Sequence, residues 1–425
     1  MRVSLLYLGC RVNQAEITEM EAELLTRGHE IVGLEESPDA CIVNTCTVTK
    51  KSDDQSRQMI RRAAGTGANV IVTGCYAELN QAEAENIAGV GSVVLNSNKH
   101  YIINKFIDNN SSTSSTKAQN LKTRSKYFLK VQDGCDNRCS YCNVWKARGR
   151  SRSILFEDAV RMAQRAEADG YMEIDLTGIH LGMYGKDLSG KGPGSVGGLL
   201  EALLKSTQVC RFRLSSLEIN EVDEKIAELL GDSRVCRHLH VPLQSGDDSV
   251  LRDMNRSYTS EQYARKIQWL HKKTGSMGLG ADIIAGFPTE SNSAFEATLS
   301  LVRSLPFTYL HVFPYSIRHD TLAADMHDTV GQKERKNRAA VLRSIGEDKR
   351  ADYLRSNIGM TLEVLLESCD EDGEWTGTTG NYLKVKRLLA PKKEASSGRL
   401  KGSLVNIKAL ATEGKFITGN AIESP

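Results

Sequence analysis

In the stretch Tyr127-Phe128-Leu129-Lys130-Val131-Gln132-Asp133-Gly134-Cys135-Asp136-Asn137-Arg138-Cys139-Ser140-Tyr141-Cys142, a short apolar run passes straight into three cysteines. The run, residues 127–131, has the length of a buried strand and is closed off by Gly134. Five similar runs follow, at 173–177, 211–215, 238–243, 281–285 and 309–313, with helical stretches between them. Repeated β-α units predict a (β/α)6 barrel, closed or partial, whose chemistry gathers at the C-terminal ends of its strands. The three cysteines lie at that end of the first strand.

On the N-terminal side, strand-like runs at 3–8, 40–44, 69–74 and 92–96 alternate with helical stretches at 12–27 and 50–64. That alternation predicts a parallel sheet covered on both faces. Residues 108–120 contain no large apolar side chain and read as a linker. On the C-terminal side, a charged helical stretch at 328–356 gives way after Gly359 to short strands at 361–367, 382–385 and 404–409 with glycine-rich turns. The expected organisation is α/β: a parallel-sheet domain over 1–108, a linker over 109–121, the partial barrel over 122–356 and a small all-β module over 358–425.

Composition agrees. At ~100–200 residues per domain, 425 residues make two to four domains. A hydrophobic content of 40% and a charged content of 25% supply a core and exclude wholesale disorder or a fibrous repeat. The 55 Lys and Arg against 53 Asp and Glu leave a formal charge of +2, which excludes a histone-like polycation but not a local basic surface. No apolar run approaches the ~18–20 residues of a membrane helix. The N-terminus lacks a small-residue cleavage site and reads as a strand rather than a secretion signal. A cytoplasmic location is expected, and its ten cysteines are then core residues, ligands or nucleophiles rather than disulfides.

Cys135, Cys139 and Cys142 have the spacing C-x3-C-x2-C on a polar loop. Three thiolates on one short loop can hold three irons of a [4Fe–4S] cluster and leave the fourth iron open to a ligand. Structural zinc needs four closed ligands, and no fourth Cys or His lies nearby in sequence. Core cysteines rarely share a loop with Asp136, Asn137 and Arg138. A second set, Cys10, Cys46 and Cys75, falls one or two residues beyond three strands of the first domain. Parallel strands end on one sheet edge, so these thiols can meet. Three unrelated buried cysteines are the competing explanation, and their common placement favours a second three-thiol site. Cys41, Cys210, Cys236 and Cys369 are read as structural.

The cysteine loop at the head of a β/α barrel resembles the radical S-adenosylmethionine (SAM) superfamily. Two three-cysteine sets resemble its methylthiotransferase branch over nearly the whole chain. The matching motifs include Leu8-Gly9-Cys10-Arg11-Val12-Asn13, Val72-Thr73-Gly74-Cys75-Tyr76-Ala77, Leu176-Thr177-Gly178-Ile179-His180, Val241-Pro242-Leu243-Gln244-Ser245-Gly246 and Ile284-Ala285-Gly286-Phe287-Pro288-Thr289-Glu290. Asn44-Thr45-Cys46-Thr47-Val48-Thr49, followed by Gln55-Ser56-Arg57-Gln58-Met59-Ile60-Arg61-Arg62, is similar to the MtaB type, which modifies N6-threonylcarbamoyladenosine beside the tRNA anticodon. Asn143-Val144-Trp145-Lys146 departs from the family, where an Ile-Pro pair is usual.

The resemblance implies two [4Fe–4S] clusters, SAM, an external reducing electron donor and a tRNA anticodon loop as partner. The barrel cluster would make a 5′-deoxyadenosyl radical, and the first-domain cluster would supply the sulfur. The last module looks like a TRAM domain, a small RNA-binding β-barrel. Two other targets of the same chemistry stay open, isopentenyl-adenosine in tRNA and a ribosomal-protein aspartate, as does a non-catalytic iron–sulfur RNA-binding protein.

Strand ends also nominate Gly178, Ser215, Glu218, Gln244 and Gly286 as SAM contacts, with ordinary turn chemistry as the competing reading. His240 and His311 lie within strands and read as core histidines. Nine Lys or Arg stand against two Asp between Lys122 and Arg152, and seven against one Glu between Lys384 and Lys401. Such runs suit phosphate backbones, with Trp375 and Tyr382 as candidates to stack on bases. Arg57, Arg61 and Arg62 are candidates to meet a carboxylate on the substrate. The barrel is expected to cleave SAM without residues 358–425.

Overall fold

The computed structural model describes residues 1–107, 124–190, 192–389 and 400–422. The linker expected at 109–121 lies outside the described residues. Near the N-terminus, β1 (Arg2–Tyr7), β2 (Glu30–Ile31), β3 (Ala40–Thr45), β4 (Asn69–Gly74) and β5 (Val90–Val93) form a parallel sheet in the order β2-β1-β3-β4-β5. Both of its faces are covered, as a parallel sheet requires. Ile17, Met20 and Leu24 of the helix Arg11–Thr26 pack on Val3, Ile42 and Ile71. Ile60 and Ala63 of the helix Lys50–Ala64 pack on Val43, Val70 and Val72 from the other side. The two-residue β2 was not anticipated, and β5 starts earlier than the expected 92–96.

Six parallel strands follow: β6 (Tyr127–Lys130), β7 (Glu173–Thr177), β8 (Arg211–Leu214), β9 (His238–His240), β10 (Gly278–Ala285) and β11 (Tyr309–Pro314). They pair in chain order as two three-stranded sheets, β6-β7-β8 and β9-β10-β11. The two meet where Phe212 N–H donates to the Arg234 carbonyl at 2.7 Å and Cys236 N–H donates to the Phe212 carbonyl at 2.8 Å. The result is a partial barrel, with no pairing of β6 to β11 among the described residues. Its outer core joins Leu176, Phe212, Leu239, Ala281 and Ile283 to the surrounding helices.

The long helix Gln332–Ser356 leads into a closed barrel of β12 (Thr361–Cys369), β13 (Glu374–Thr379), β14 (Lys384–Leu389), β15 (Leu404–Glu413) and β16 (Phe416–Ile422), ordered β12-β13-β14-β16-β15. The TRAM-like fold is therefore present, with two strands, β13 and β16, beyond the three anticipated. Among the described residues no helix is long and apolar enough to cross a membrane.

Candidate functional site

β1, β3 and β4 are neighbours, and they deliver Cys10, Cys46 and Cys75 to one edge of the first sheet. Two glycines make that edge possible. Gly9 has φ +106°, and a Cβ there would stand 2.6 Å from Cys46 Sγ. Gly74 has φ +99°, and its Cβ would stand 2.4 Å from the Thr45 carbonyl oxygen. Ser56 Oγ accepts from Cys46 N–H at 3.1 Å and donates to the Cys46 carbonyl at 2.8 Å, fixing the loop. Burial pushes the Cys46 thiol up to about 11, and Cys10 and Cys75 beside it add to the shift. A thiol so placed gives up its proton to a metal rather than to water.

The barrel loop is held by Cys135 N–H donating to the Gly149 carbonyl at 3.0 Å and by Ser140 N–H donating to the Met254 carbonyl at 3.2 Å. Its exit runs into a short helix, Val144–Arg148, and Val144 N–H donates to Cys142 Sγ at 3.4 Å. A proline at 144 could not make that bond, so the departure from the family pattern leaves a donor on the sulfur. Arg256 Nη1 donates to Cys139 Sγ at 3.3 Å and also binds Glu218. His180 Nδ1 lies 3.6 Å from Cys135 Sγ, and its Nε2 is paired with Glu221. Burial pushes the Cys142 thiol up to about 12, with Cys139 and Cys135 adding to it.

A cation or N–H donor beside a sulfur suits thiolate, so this donor set fits a cluster. It does not fit one zinc ion. With Zn–S near 2.3 Å, tetrahedral thiolates stand ~3.8 Å apart. Among the described residues the only three such ligand atoms within 4.8 Å of one another belong to His240, Asp282 and His311.

Arg148 connects the two cysteine sets. It sits six residues beyond Cys142, yet its Nε donates to Cys75 Sγ at 3.1 Å. Its guanidinium also binds Glu16 and Asn13 of the first domain, and Glu16 receives Lys99 Nζ at 2.7 Å and Lys130 Nζ at 3.1 Å. Arg318 adds a second tie, to Asp53 at 2.6 Å and to Thr47 at 2.5 Å, just past Cys46. Arg148, Arg256, His180 and Arg318 were not singled out in sequence. Their partners lie far along the chain, so no local spacing announces them.

The residues nominated as SAM contacts divide. Ser215 Oγ is buried without a hydrogen-bond partner, so it is free for a ligand. Glu218 is engaged by Arg256. Gln244 has φ +66° and follows β9, its N–H donating to the Asp282 carbonyl at 2.8 Å. Gly178 and Gly286 are accounted for by protein neighbours. An added Cβ would lie 2.7 Å from Gln132 Oε1 at the first and 2.3 Å from Arg335 Cγ at the second.

Other expectations are corrected. His311 is about half exposed, and it and His240 flank Asp282 Oδ1 at 3.3 and 3.2 Å. Trp375 is in the core of the C-terminal barrel. Tyr382 stacks on His238 of β9 at 4.1 Å between ring centres. Neither is free to stack on bases as placed here. Arg57 is paired with Asp54 and Glu83, Arg62 with Glu35, and Arg61 is exposed beside Glu83 and Ile87. Among the described residues, several members of the basic runs are paired with acids, most of them from elsewhere in the chain. Lys126 meets Glu173 and Glu367, Arg152 meets Asp133, Lys384 meets Glu367, and Lys386 and Arg387 meet Glu413. Lys122, Lys392, Lys393 and Arg399 of those runs lie outside the described residues. Cys369, expected to be structural, is exposed at the end of β12.

Comparisons with known proteins bear on this arrangement. Residues 129–302 match the radical SAM superfamily, and residues 2–96 match a family described only as uncharacterized protein family UPF0004. The chain is 32% identical over 91% of its length to the threonylcarbamoyladenosine tRNA methylthiotransferase MtaB of Aquifex aeolicus, covering 97% of that protein. It is 34% identical to the Bacillus subtilis protein of the same name, over 89% of this chain and 88% of the relative. The Rickettsia prowazekii MtaB is 35% identical over 91% of both chains. Among solved structures, the radical SAM methyltransferase TsrM of Kitasatospora setae has a TM-score of 0.53 at 16% identity, covering 76% of this chain and 77% of that one, a likeness of fold alone. With two thiol sets held at neighbouring sheet edges and relatives matched over nearly their full length, the chain belongs to the MtaB-type tRNA methylthiotransferases of the radical SAM superfamily.

Proposed function

We propose that this protein converts N6-threonylcarbamoyladenosine beside the anticodon of tRNA into its 2-methylthio derivative, in the cytoplasm. The observation that carries the reading is the pair of three-thiol sets, each with a cation or donor at its sulfurs, tied together by Arg148. Cys135, Cys139 and Cys142 would hold one [4Fe–4S] cluster that serves SAM cleavage, and Cys10, Cys46 and Cys75 would hold a second. Bound there, the groups would supply reductive cleavage of one SAM to a radical that takes hydrogen from the adenine carbon, and a sulfur, methylated by a second SAM, that takes the hydrogen's place. The protein's part is placement. Arg256 and His180 neutralise thiolate charge at the barrel loop, Ser215 and Gln244 line the strand ends where SAM would lie, and Gly178 and Gly286 let Gln132 and Arg335 pack beneath them. Glu218 acts through Arg256.

Residues 1–108 supply the sulfur site, 122–356 the radical site and 358–425 an RNA-facing module, with 109–121 joining the first two. Proximity is essential, because a radical is quenched unless its target is already in reach. The names of the relatives support threonylcarbamoyl as the target's substituent. The test is nucleoside mass spectrometry of unmodified, isopentenylated and threonylcarbamoylated tRNA after reaction with reconstituted, anaerobically reduced enzyme. Product is expected on the last alone, and comparable turnover of the isopentenylated tRNA would overturn the substrate assignment.

A further inference from the structure

The inner face of the barrel carries buried polar atoms that the protein leaves without hydrogen bonds. Nη1 of Arg11, both carboxylate oxygens of Asp175 and Nδ1 of His238 are buried without a hydrogen-bond partner, Asp175 standing at ion-pair distance from Arg11 and, at 3.7 Å, from Arg213. Folded proteins satisfy nearly all such groups, so a concentration of exceptions calls for an explanation. These exceptions are contiguous. Arg11, the residue after Cys10, reaches across from the first domain to stand 3.6 Å from Asp175 on β7. His238 and His240 follow on β9, with Tyr309 stacked beside both.

On β10, Leu279, Ala281, Ile283 and Ala285 join the outer core, so the alternation of a strand turns Asp282 to the inner face. Val312 does the same for β11 and turns His311 inward. His240 is fixed from behind by Ser216 Oγ, 2.7 Å from its Nδ1. His311 is 51% exposed, so the group opens to solvent rather than being sealed.

We propose that Arg11, Asp175, His240, Asp282 and His311 form the subsite for the N6 substituent of the substrate base, with Arg11 taking its carboxylate. The proposal rests on the threonylcarbamoyl reading above and deepens it. C2 and C6 of adenine flank the same ring nitrogen, so a base held with C2 beside the thiol sets carries its N6 substituent into the same space. A threonylcarbamoyl group brings a carboxylate, a hydroxyl, a carbonyl and N–H groups. Arg11 is a donor suited to the first, Asp175 and Asp282 accept from hydroxyl and N–H, and the imidazoles serve either way. An isopentenyl group brings none of these and would leave the Arg11, Asp175 and His238 atoms without hydrogen bonds, a cost the threonylcarbamoyl group removes. Arg57 and Arg62 are hydrogen-bonded to acids on their own domain and Arg61 faces solvent, whereas Arg11 Nη1 is buried with no hydrogen bond, so the carboxylate contact passes to Arg11.

The experiment compares tRNA carrying threonylcarbamoyl with the same tRNA after methyl esterification of that carboxylate. Reconstituted holoenzyme is used, with Kd measured without reductant and kcat/KM measured with it. The parent should prefer the acid by about 30-fold or more, the usual loss when one partner of a buried charge pair is removed. Arg11→Gln should lose most of that preference, falling on the acid and little on the ester, with iron content and tRNA-free SAM cleavage retained. Because Arg11 adjoins Cys10, His311→Gln is the second variant. It should weaken acid and ester alike in both Kd and kcat/KM, with iron content retained. Equal losses on acid and ester in Arg11→Gln, no loss in His311→Gln, or a parent indifferent to esterification would overturn the subsite and leave the substrate assignment standing. Turnover of isopentenylated tRNA by the parent would instead bring down the assignment itself.

Discussion

Glu16 shows how a single residue can hold two domains and a thiol in register. It is 4% exposed and is met by Arg148, Lys99 and Lys130, which come from three separate parts of the chain. Burial alone would raise its carboxyl, but the three cations outweigh it and hold the group well below the usual 4.5. A carboxyl depressed by folding contributes stability above its unfolded value and surrenders it as pH falls toward the folded one. The protein should therefore lose Glu16's contribution below pH 4.5 and not at neutral pH. Glu16→Ala should lower stability by about 3–5 kcal/mol at pH 7, because it strands buried cations, and the difference from the parent should shrink in acid. Thermal unfolding across pH 4 to 7 measures both, and a difference independent of pH would refute the account. At this scale the grouping of Cys10, Cys46 and Cys75 at one sheet edge and of Cys135, Cys139 and Cys142 on one loop was legible, since spacing and strand ends are local signals. Arg148 and Arg11 were not, because each matters through a partner 73 or 164 residues away.

Elements place the thiols, and glycine sets how closely. Gly9 and Gly74 leave their strands at positive φ with backbone or sulfur where a Cβ would go. Gly9→Ala should therefore disturb Cys46 and Cys10 together, and on the proposed two-cluster reading iron content should fall by about half, because one site loses its loop. SAM cleavage by the barrel should persist. Cys46→Ala should give the same split, cleavage without methylthio product, and full product from either variant would remove the first-domain thiols from the mechanism. Cys139→Ala should do the reverse and abolish 5′-deoxyadenosine formation, checked by chromatography of the reduced enzyme.

The barrel strands were legible as short segments with apolar residues facing the outer core, as Ile174 and Leu176 do between Glu173, Asp175 and Thr177, or Phe212 and Leu214 beside Arg211 and Arg213. β13 and β16 were not. Each carries a glycine where the small barrel bends, and a Cβ at Gly377 or Gly419 would lie 2.4 or 2.2 Å from a neighbouring strand's carbonyl oxygen. Those glycines break the alternation on which strand recognition depends.

The whole molecule is less divisible than its sequence suggests. The texture change after Gly359 reads as a separable module, and the barrel as self-sufficient without it. In the structure the module closes the N-terminal end of the barrel strands. Arg211 and Arg213 of β8 are 3% and 0% exposed, and both are anchored by Glu173 of β7. Their remaining donors cross to the module: Arg211 to Thr378 O at 3.2 Å and Glu363 Oε2 at 2.7 Å, Arg213 to Thr379 O at 3.0 Å and Gly380 O at 3.1 Å. Tyr382 completes the seal over His238 and Arg213, held at a left-handed φ of 68°. Deleting residues 358–425 would strand these guanidinium donors, each at about 1–3 kcal/mol if left dry. The truncated protein should accordingly melt well below the parent and lose tRNA-free SAM cleavage along with tRNA binding. Tyr382→Ala, which keeps every crossing hydrogen bond, should cost about 2 kcal/mol and keep cleavage. SAM cleavage by the 1–357 fragment at the parent rate would show that the barrel stands alone after all, and that the module serves only the RNA. Loss of cleavage in the fragment, with retention in Tyr382→Ala, would place the dependence in the crossing bonds of Arg211 and Arg213.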